Sequence, residues 1–271
     1  MSTYYYKPKL TTAEHLYRDA DLQNEIEIII AEFPGYGYRR VTKALGRKGL
    51  KVNHKKVLRV MRDHGLLSQI RKAFKVATTE SNHSYRIYPN LLPGLKLDGP
   101  NQVWVADLTY IRILTGFIYL AVVMDLYSRK IIGWALSSSL QSDLCLEALQ
   151  MAIENRKPGP CCVHHSDRGV QYACDEYIMK LQQNGLVISM SRKGNPYDNA
   201  FMESFMKTLK YDEVHLWNYE TIEDVKRRIP EFLETVYNKR RLHSSLDYLT
   251  PAEFEAKICK QQPAERPILI L

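Results

Sequence analysis

Residues 103–138, VWVADLTYIRILTGFIYLAVVMDLYSRKIIGWALSS, read as three β-strands joined by two tight turns. VWVADLTYIRI, FIYLAVVMDLYS and KIIGWALSS are rich in β-branched and aromatic residues, and Leu114-Thr115-Gly116 and Tyr127-Ser128-Arg129 separate them. In the first strand Val105, Asp107, Thr109 and Ile111 point one way, while Trp104, Ala106, Leu108 and Tyr110 point the other. Asp107 thus sits mid-strand with uncharged neighbours on its own face. Leaving a carboxylate unpaired there costs on the order of several kcal/mol, so an arginine or a cation is expected to compensate it.

Beyond these strands the pattern changes to alternation. Asp143 to Asn155 is helical, CCVHH is a fourth strand, Asp175 to Gln183 a helix and VISMS a fifth strand. The fold class is therefore α/β, a mixed five-stranded sheet flanked by helices, with helices dominating from Asn199 onward. The fourth strand runs into HHSDRGVQY, residues 164–172, where Asp167 shares a face with Val163 and His165. It meets Asp107 if the two strands are neighbours. A third acid lies in SRKGNPYDNAFMESFMKTLK, residues 191–210, where a Gly194-Asn195-Pro196 turn precedes a helix starting near Asp198 or Asn199. Glu203, Lys207 and Lys210 fall on one face of it, and Phe201, Phe205 and Leu209 form a row suited to packing on the sheet. The two lysines are candidate phosphate contacts; an ordinary surface Glu–Lys pair is the alternative.

Two rival sites are weaker. Cys161, Cys162, His164 and His165 are adjacent on a strand, so their side chains alternate between faces and do not converge on one tetrahedral zinc. His164 then reads as structural. Asp125 is expected to pair with Arg129 or to cap its turn, and Arg168 to bind either phosphate or a neighbouring carboxylate.

The net charge of +8 is unevenly placed: residues 1–100 carry 18 Lys and Arg against 9 Asp and Glu, and residues 101–271 carry 20 against 21. A basic module joined to a near-neutral one points to a polyanionic partner. Within the basic part, Leu22 to Phe33 has helical apolar spacing, and Pro34-Gly35 ends it. A second helix is expected over Tyr38 to Arg47. A third follows Asn53 as N-cap, with Val57, Val60 and Met61 inward and Gly65 at its end. Between Gly37 and Arg62 there are ten Lys or Arg and no acid. That outline is a helix-turn-helix unit, with Arg39, Arg40, Lys43, His54, Lys55, Lys56, Arg59 and Arg62 as candidate DNA contacts. Residues 68–99, broken by Pro89 and Pro93, read as a basic linker. Near the other end Tyr237 to Arg241 closes a helix in basic residues, and Thr250-Pro251-Ala252-Glu253 is a capping box.

Five cysteines without a C-x-x-C argue against a disulfide framework, and no run of 18 apolar residues occurs. A soluble, cytoplasmic chain with no membrane partner is the expectation. The expected organisation is an arm over 1–20, the helix-turn-helix domain over 21–67, the linker over 68–99, an α/β core over 100–220 and a C-terminal helical extension over 221–271.

WVADLTYI, HHSDRGVQY and GNPYDNAFMESFMKTLK, in that order, resemble the three catalytic blocks of the retroviral-integrase-like transposases. More closely they are similar to the OrfB proteins of the insertion-sequence three family. Thirty-five residues separate Asp167 from Glu203, the spacing shared by that family and retroviral integrases, and 59 separate Asp107 from Asp167. The segment from Pro34 to Leu66 and YNKRRLHSSLDYLTPAEF, residues 237–254, are similar to the family's N-terminal and C-terminal signatures, so about residues 25–255 match. Met206-Lys207 and Tyr211-Asp212 depart from the usual residues, and no heptad zipper marks a fused OrfA portion.

The resemblance implies that Asp107, Asp167 and Glu203 are the Asp-Asp-Glu triad of an RNase H-like fold, holding two Mg²⁺ ions for which Mn²⁺ substitutes. His165, which shares Asp167's face, is expected with Arg168 and Asn199 to make supporting contacts around the triad. Carboxylates suit that work: Mg²⁺ takes a few hard oxygens and keeps waters, and two ions about 3.5–4 Å apart serve in-line phosphodiester displacement. It further implies nicking at the ends of a mobile element to free a 3′-OH, a circular intermediate, and insertion into target DNA. The implied partners are double-stranded DNA (terminal inverted repeats and target), a homo-oligomer in a synaptic complex, and an OrfA protein. The alternatives are a nuclease of the same fold that cuts without joining, and a DNA-binding regulator derived from a dead transposase.

Overall fold

The computed structural model describes residues 12–68, 83–192 and 195–271, which fall into two units, Met1–Lys72 and Ala73–Leu271. The first is three helices, α1 (Thr12–Glu32), α2 (Tyr38–Arg47) and α3 (His54–Asp63). Leu22, Ile26 and Ile29 of α1 meet Val41 and Leu45 of α2 and Val57, Val60 and Met61 of α3, all buried. Asn53 caps α3 through its side chain, which accepts from the Lys55 N–H at 2.8 Å. Gly65, at φ 68°, takes the left-handed turn after α3. One boundary moves. The expected arm over 1–20 is helical from Thr12 on, because the polar turns before Leu22 are tied to α3 by Asp19; residues 1–11 lie outside the described residues. So does the linker stretch 69–82.

In the second unit the strands are β1 (Lys96–Leu97), β2 (Val103–Ile113), β3 (Gly116–Asp125), β4 (Ile131–Ser137), β5 (Val163–Ser166), β6 (Val187–Met190) and β7 (Leu269–Ile270). The main sheet has the order β4-β3-β2-β5-β6. β2, β3 and β4 form an antiparallel meander, and β5 and β6 join it in parallel. This is the RNase H-like mixed sheet. The helices are α4 (Ser142–Arg156), the short α5 (Val170–Ala173), α6 (Asp175–Gln183), α7 (Ala200–Leu209), α8 (Ile222–Glu231) and α9 (Pro251–Ile258).

Each face of the sheet has its own core. Trp104, Ala106, Ala121 and Val123 pack against α4 and α6. The approach of α4 to β4 is close enough that a Cβ on Gly133 would lie 2.2 Å from the Ala148 carbonyl oxygen, so only glycine fits. On the opposite face Val105, Ile111, Leu120 and Val122 pack against α7, α8 and the turns that follow.

Two expected boundaries are not breaks in packing. Val225, Ile229, Phe232, Leu233, Tyr237 and Ile258, from the supposed C-terminal extension, share one core with β2, β3 and α7. In the supposed linker Leu92 and Leu97 are buried, β1 pairs with β7, and the Leu91 N–H donates to Ser189 Oγ at 2.9 Å. Each outer edge strand of the sheet also has a partner outside the sheet, which limits the edge available for mispairing. Along β6 the Met190 N–H donates to the Pro89 carbonyl at 3.3 Å. On β4, Asn238 brackets Ile131, accepting from its N–H and donating to its carbonyl, both at 2.9 Å.

Candidate active site

Register brings the first two acids together. β2 and β5 pair in parallel with Val103 opposite Val163, Trp104 opposite His164 and Val105 opposite His165. Carried two residues on, that register sets Asp107 opposite Asp167, one residue past the end of β5. Adjacent strands lie about 4.8 Å apart, so the two carboxylates share one row at a strand end. The Leu108 N–H donates to Asp107 Oδ1 at 2.9 Å, and the Gly169 N–H donates to Asp167 Oδ1 at 2.9 Å.

The third acid arrives on α7. Met202, Phe205 and Leu209 bury one side of this helix against the sheet. Asn199, at its start, donates from Nδ2 to the Ala106 carbonyl at 3.4 Å, next to Asp107. Glu203 is left half-buried on the other side. Asp107 feels the other two. Burial first, then the Asp167 charge, and to a smaller extent Glu203, push the Asp107 carboxyl up to about 8, against the lowering effect of the Leu108 N–H.

As they lie, no three His, Cys, Asp or Glu side chains among the described residues stand together so as to hold a metal ion. Glu203 instead faces Lys207, 3.7 Å away, in an exposed pair one turn apart. Such a pair is worth about 0.3–0.5 kcal/mol, so it holds Glu203 only weakly in this position. Three carboxyl groups, with Asp107 held mostly neutral near pH 7 until a cation offsets its burial, offer hard oxygens beside an Asn199 Oδ1 that is buried without a hydrogen-bond partner, a donor set that fits a divalent cation.

The other expected residues divide. His165 is buried between two serines, with Nδ1 2.8 Å from Ser189 Oγ and Nε2 3.0 Å from Ser191 Oγ, and burial pulls its imidazole down to about 4. His164 faces the other side of the sheet, with Nε2 3.0 Å from the Tyr177 hydroxyl, so the histidines and cysteines of this strand do not gather. Arg168 donates from Nε to the Ser191 carbonyl at 2.7 Å, a backbone partner neither sequence alternative named. Asp125 caps its turn, accepting from the Ser128 N–H and hydroxyl at 2.9 Å, while Arg129 lies over the Phe201 ring at 3.9 Å.

Lys210 corrects the picture of a lysine row. It donates to the Tyr110 carbonyl and lies over the Tyr110 ring at 4.5 Å, and burial pulls its ammonium down to about 8. The cause lies in the side chain and not in the winding: the Lys210 N–H still bonds the Met206 carbonyl as in an α-helix, and the side chain folds back onto Tyr110 of β2.

In the first unit Asp19 takes two of the candidate DNA contacts. Its carboxylate is 2.6 Å from Lys56 Nζ and 2.5 Å from Arg59 Nη2. His54, Lys55 and Arg62 are exposed on α3, as are Arg39 and Lys43 on α2, and Arg40 is half-buried. Arg39 lies over the Tyr38 ring at 4.8 Å and Arg40 over Tyr36 at 5.8 Å, and Tyr38 stacks on His54.

Asp198 has a role that the sequence does not show. It accepts from the Arg192 N–H at 2.8 Å, from Arg192 Nε at 3.0 Å and Nη2 at 2.9 Å, and from Asn195 Nδ2 at 3.2 Å, closing the turn that leads into α7. The Arg192 guanidinium holds its carboxyl down to about 2. In the sequence it stands only where a helix is expected to begin, and nothing there signals a partner six residues earlier.

Residues 98–196 match the family described as an integrase core domain, residues 184–251 match a second family of the same description, and residues 17–74 match an HTH-like domain. The chain is 40% identical over 245 residues to the transposase for insertion sequence element IS904 of Lactococcus lactis subsp. lactis (strain IL1403), covering 86% of this chain and 93% of that protein. It is 38% identical over 223 residues to transposase InsF for insertion sequence IS3A of Escherichia coli (strain K12), covering 82% of this chain and 77% of the relative. Among solved structures it is similar to a chain of the simian T-cell lymphotropic virus intasome in complex with PP2A regulatory subunit B56 gamma. There the identity is 16% and the TM-score 0.49, over 90% of this chain and 77% of that one.

Proposed function

The chain belongs to the insertion-sequence transposases that carry an integrase core domain, and we propose that Asp107, Asp167 and Glu203 are the carboxylates with which it cuts and joins DNA. The supporting observation is that β2, the end of β5 and α7 bring Asp167 and Glu203 within electrostatic reach of Asp107, where, after burial, they help raise its carboxyl to about 8. The reading includes two Mg²⁺ ions, with Mn²⁺ able to replace them. Bound there, they would supply Lewis-acid stabilisation of an in-line phosphodiester displacement.

The chain's own residues do the rest. Asp107 and Asp167 hold fixed positions at rigid strands, oriented by the Leu108 and Gly169 N–H groups. α7 carries Glu203 on a helix anchored by buried Met202, Phe205 and Leu209 and stayed at its start by Asn199. Lys207, exposed and one turn beyond Glu203, is placed to meet the DNA backbone once Glu203 turns inward. His54, Lys55 and Arg62 of α3, with Arg39, Arg40 and Lys43 of α2, would bind the terminal inverted repeats of the element. Synapsis of two ends calls for a homo-oligomer, and an OrfA protein is a further candidate partner.

The test uses oligonucleotides carrying the element's end. Asp107→Asn, Asp167→Asn and Glu203→Gln should each abolish nicking and joining in Mg²⁺ while changing duplex affinity by no more than about twofold, since each removes a cation ligand and no phosphate contact. An Asp107→Asn chain that still transferred strands would refute the assignment. A wild-type chain that nicked but never joined would be the nuclease instead.

A further inference from the structure

Gly169, two residues after Asp167, opens the short helix α5 at φ −62° and ψ 146°. That backbone is open to any L-residue, so conformational freedom does not explain a glycine here. Space does. A Cβ at this position would stand 3.0 Å from Asp167 Oδ1 and 3.2 Å from Gln171 Oε1. Both are tighter than ordinary carbon–oxygen contact, and the nearer atom belongs to a carboxylate of the triad.

The surrounding backbone leaves little room to yield. The Arg168 carbonyl lies 2.7 Å from His83 Nε2, and Arg168 Nε donates to the Ser191 carbonyl at 2.7 Å. The Gly169 carbonyl accepts from the Tyr172 and Ala173 N–H groups at 2.9 and 3.0 Å. The strand before the turn is held by the Ser191 N–H, which donates to the Ser166 carbonyl at 2.9 Å. An added methyl group would therefore displace the Asp167 side chain and not the loop. That displacement would stretch the 2.9 Å bond from the Gly169 N–H to Asp167 Oδ1, the contact that aims the carboxylate.

We propose that Gly169 is a positioning residue for Asp167: its N–H orients the carboxylate, and its missing side chain leaves the space that the carboxylate and the Gln171 amide oxygen close upon. Ligand groups must be held to about 0.5 Å for a cation site to work, and the shift a methyl group would impose is of that order. The inference rests on the triad reading, and the comparison with Asp167→Asn separates the two.

The experiment uses the full chain with Gly169→Ala, beside wild type and Asp167→Asn. Mn²⁺ binding is followed by electron paramagnetic resonance, end-DNA affinity by anisotropy, and nicking at saturating DNA. Gly169→Ala should weaken Mn²⁺ binding and slow nicking by roughly 10–100-fold, the range for residues that orient a metal ligand. Its DNA affinity should stay within about twofold, because no phosphate contact is lost. Raising the Mn²⁺ concentration should restore part of the rate. If Gly169→Ala bound Mn²⁺ and nicked like wild type while Asp167→Asn was dead, the proposal would fall and the triad would stand. If Asp167→Asn also bound and nicked like wild type, the triad itself would fall.

Melting temperatures cover the case in which the alanine variant folds poorly. Because the clash is with the Asp167 carboxylate, Gly169→Ala should lower the melting temperature of the wild-type chain and do so much less in an Asp167→Ala background. Equal losses in both backgrounds would assign the glycine to packing alone and overturn the proposal.

Discussion

Phe205 lies two residues from Glu203, is 2% exposed, and meets the Tyr237 ring edge-on at 4.9 Å. Replacing it with alanine should cost about 3–5 kcal/mol of unfolding free energy, read by urea titration, because the cavity sits between α7 and the C-terminal turns. A loss below about 1 kcal/mol would mean that the aromatic does not anchor α7. This anchoring was legible in the sequence, since the apolar row on α7 follows helical spacing. Lys210 was not, because its side chain bends back to the Tyr110 carbonyl and ring, a partner on β2 that helical spacing does not reveal. Asp198 and His165 were also hidden in part. Their partners, Arg192 for one and Ser189 and Ser191 for the other, are set by turns and strand pairing that residue types alone do not specify.

At the scale of single elements, α3 was readable from its cap, its apolar stripe and its closing glycine, and the structure adds which of its cations are already engaged. Lys56 and Arg59 face Asp19 of α1, whereas Lys55 is exposed on the same helix. Lys55→Ala should therefore lower the salt dependence of end-DNA binding by about one phosphate contact, and Lys56→Ala by less than about half of that. Equal slopes from anisotropy titrations between about 50 and 200 mM salt would show that Asp19 does not withhold Lys56 from DNA. The strands of the meander were equally readable, since each is rich in β-branched and aromatic residues and the turns between them are short. The pairing of β2 with β5 was not. In the chain β3, β4 and α4 intervene between them, and a parallel register of that kind leaves no trace in local pattern. Yet that register is what aligns Asp107 with Asp167.

At the scale of the whole molecule, composition located the basic module, but the limits of the second unit follow from long-range packing. Leu92 and Leu97 are buried in it, and β1 pairs with β7 near the other end of the chain. A fragment of residues 83–271 should therefore unfold cooperatively, and one of residues 100–271 should be less stable by about 3 kcal/mol or more, from two leucines worth about 1.5–3 kcal/mol each. Equal stability by thermal melting would return residues 83–99 to the role of a tether. The central claim is that three acids, distant in sequence, converge in this unit to hold a cation, and a change of ligand chemistry tests it most directly. The measurement is nicking of end DNA by Asp107→Cys in Mg²⁺ and in the softer ions Mn²⁺ and Cd²⁺. The account predicts loss of activity in Mg²⁺, which binds thiolate poorly, and partial recovery in a softer ion. Undiminished nicking by Asp107→Cys in Mg²⁺ would contradict it.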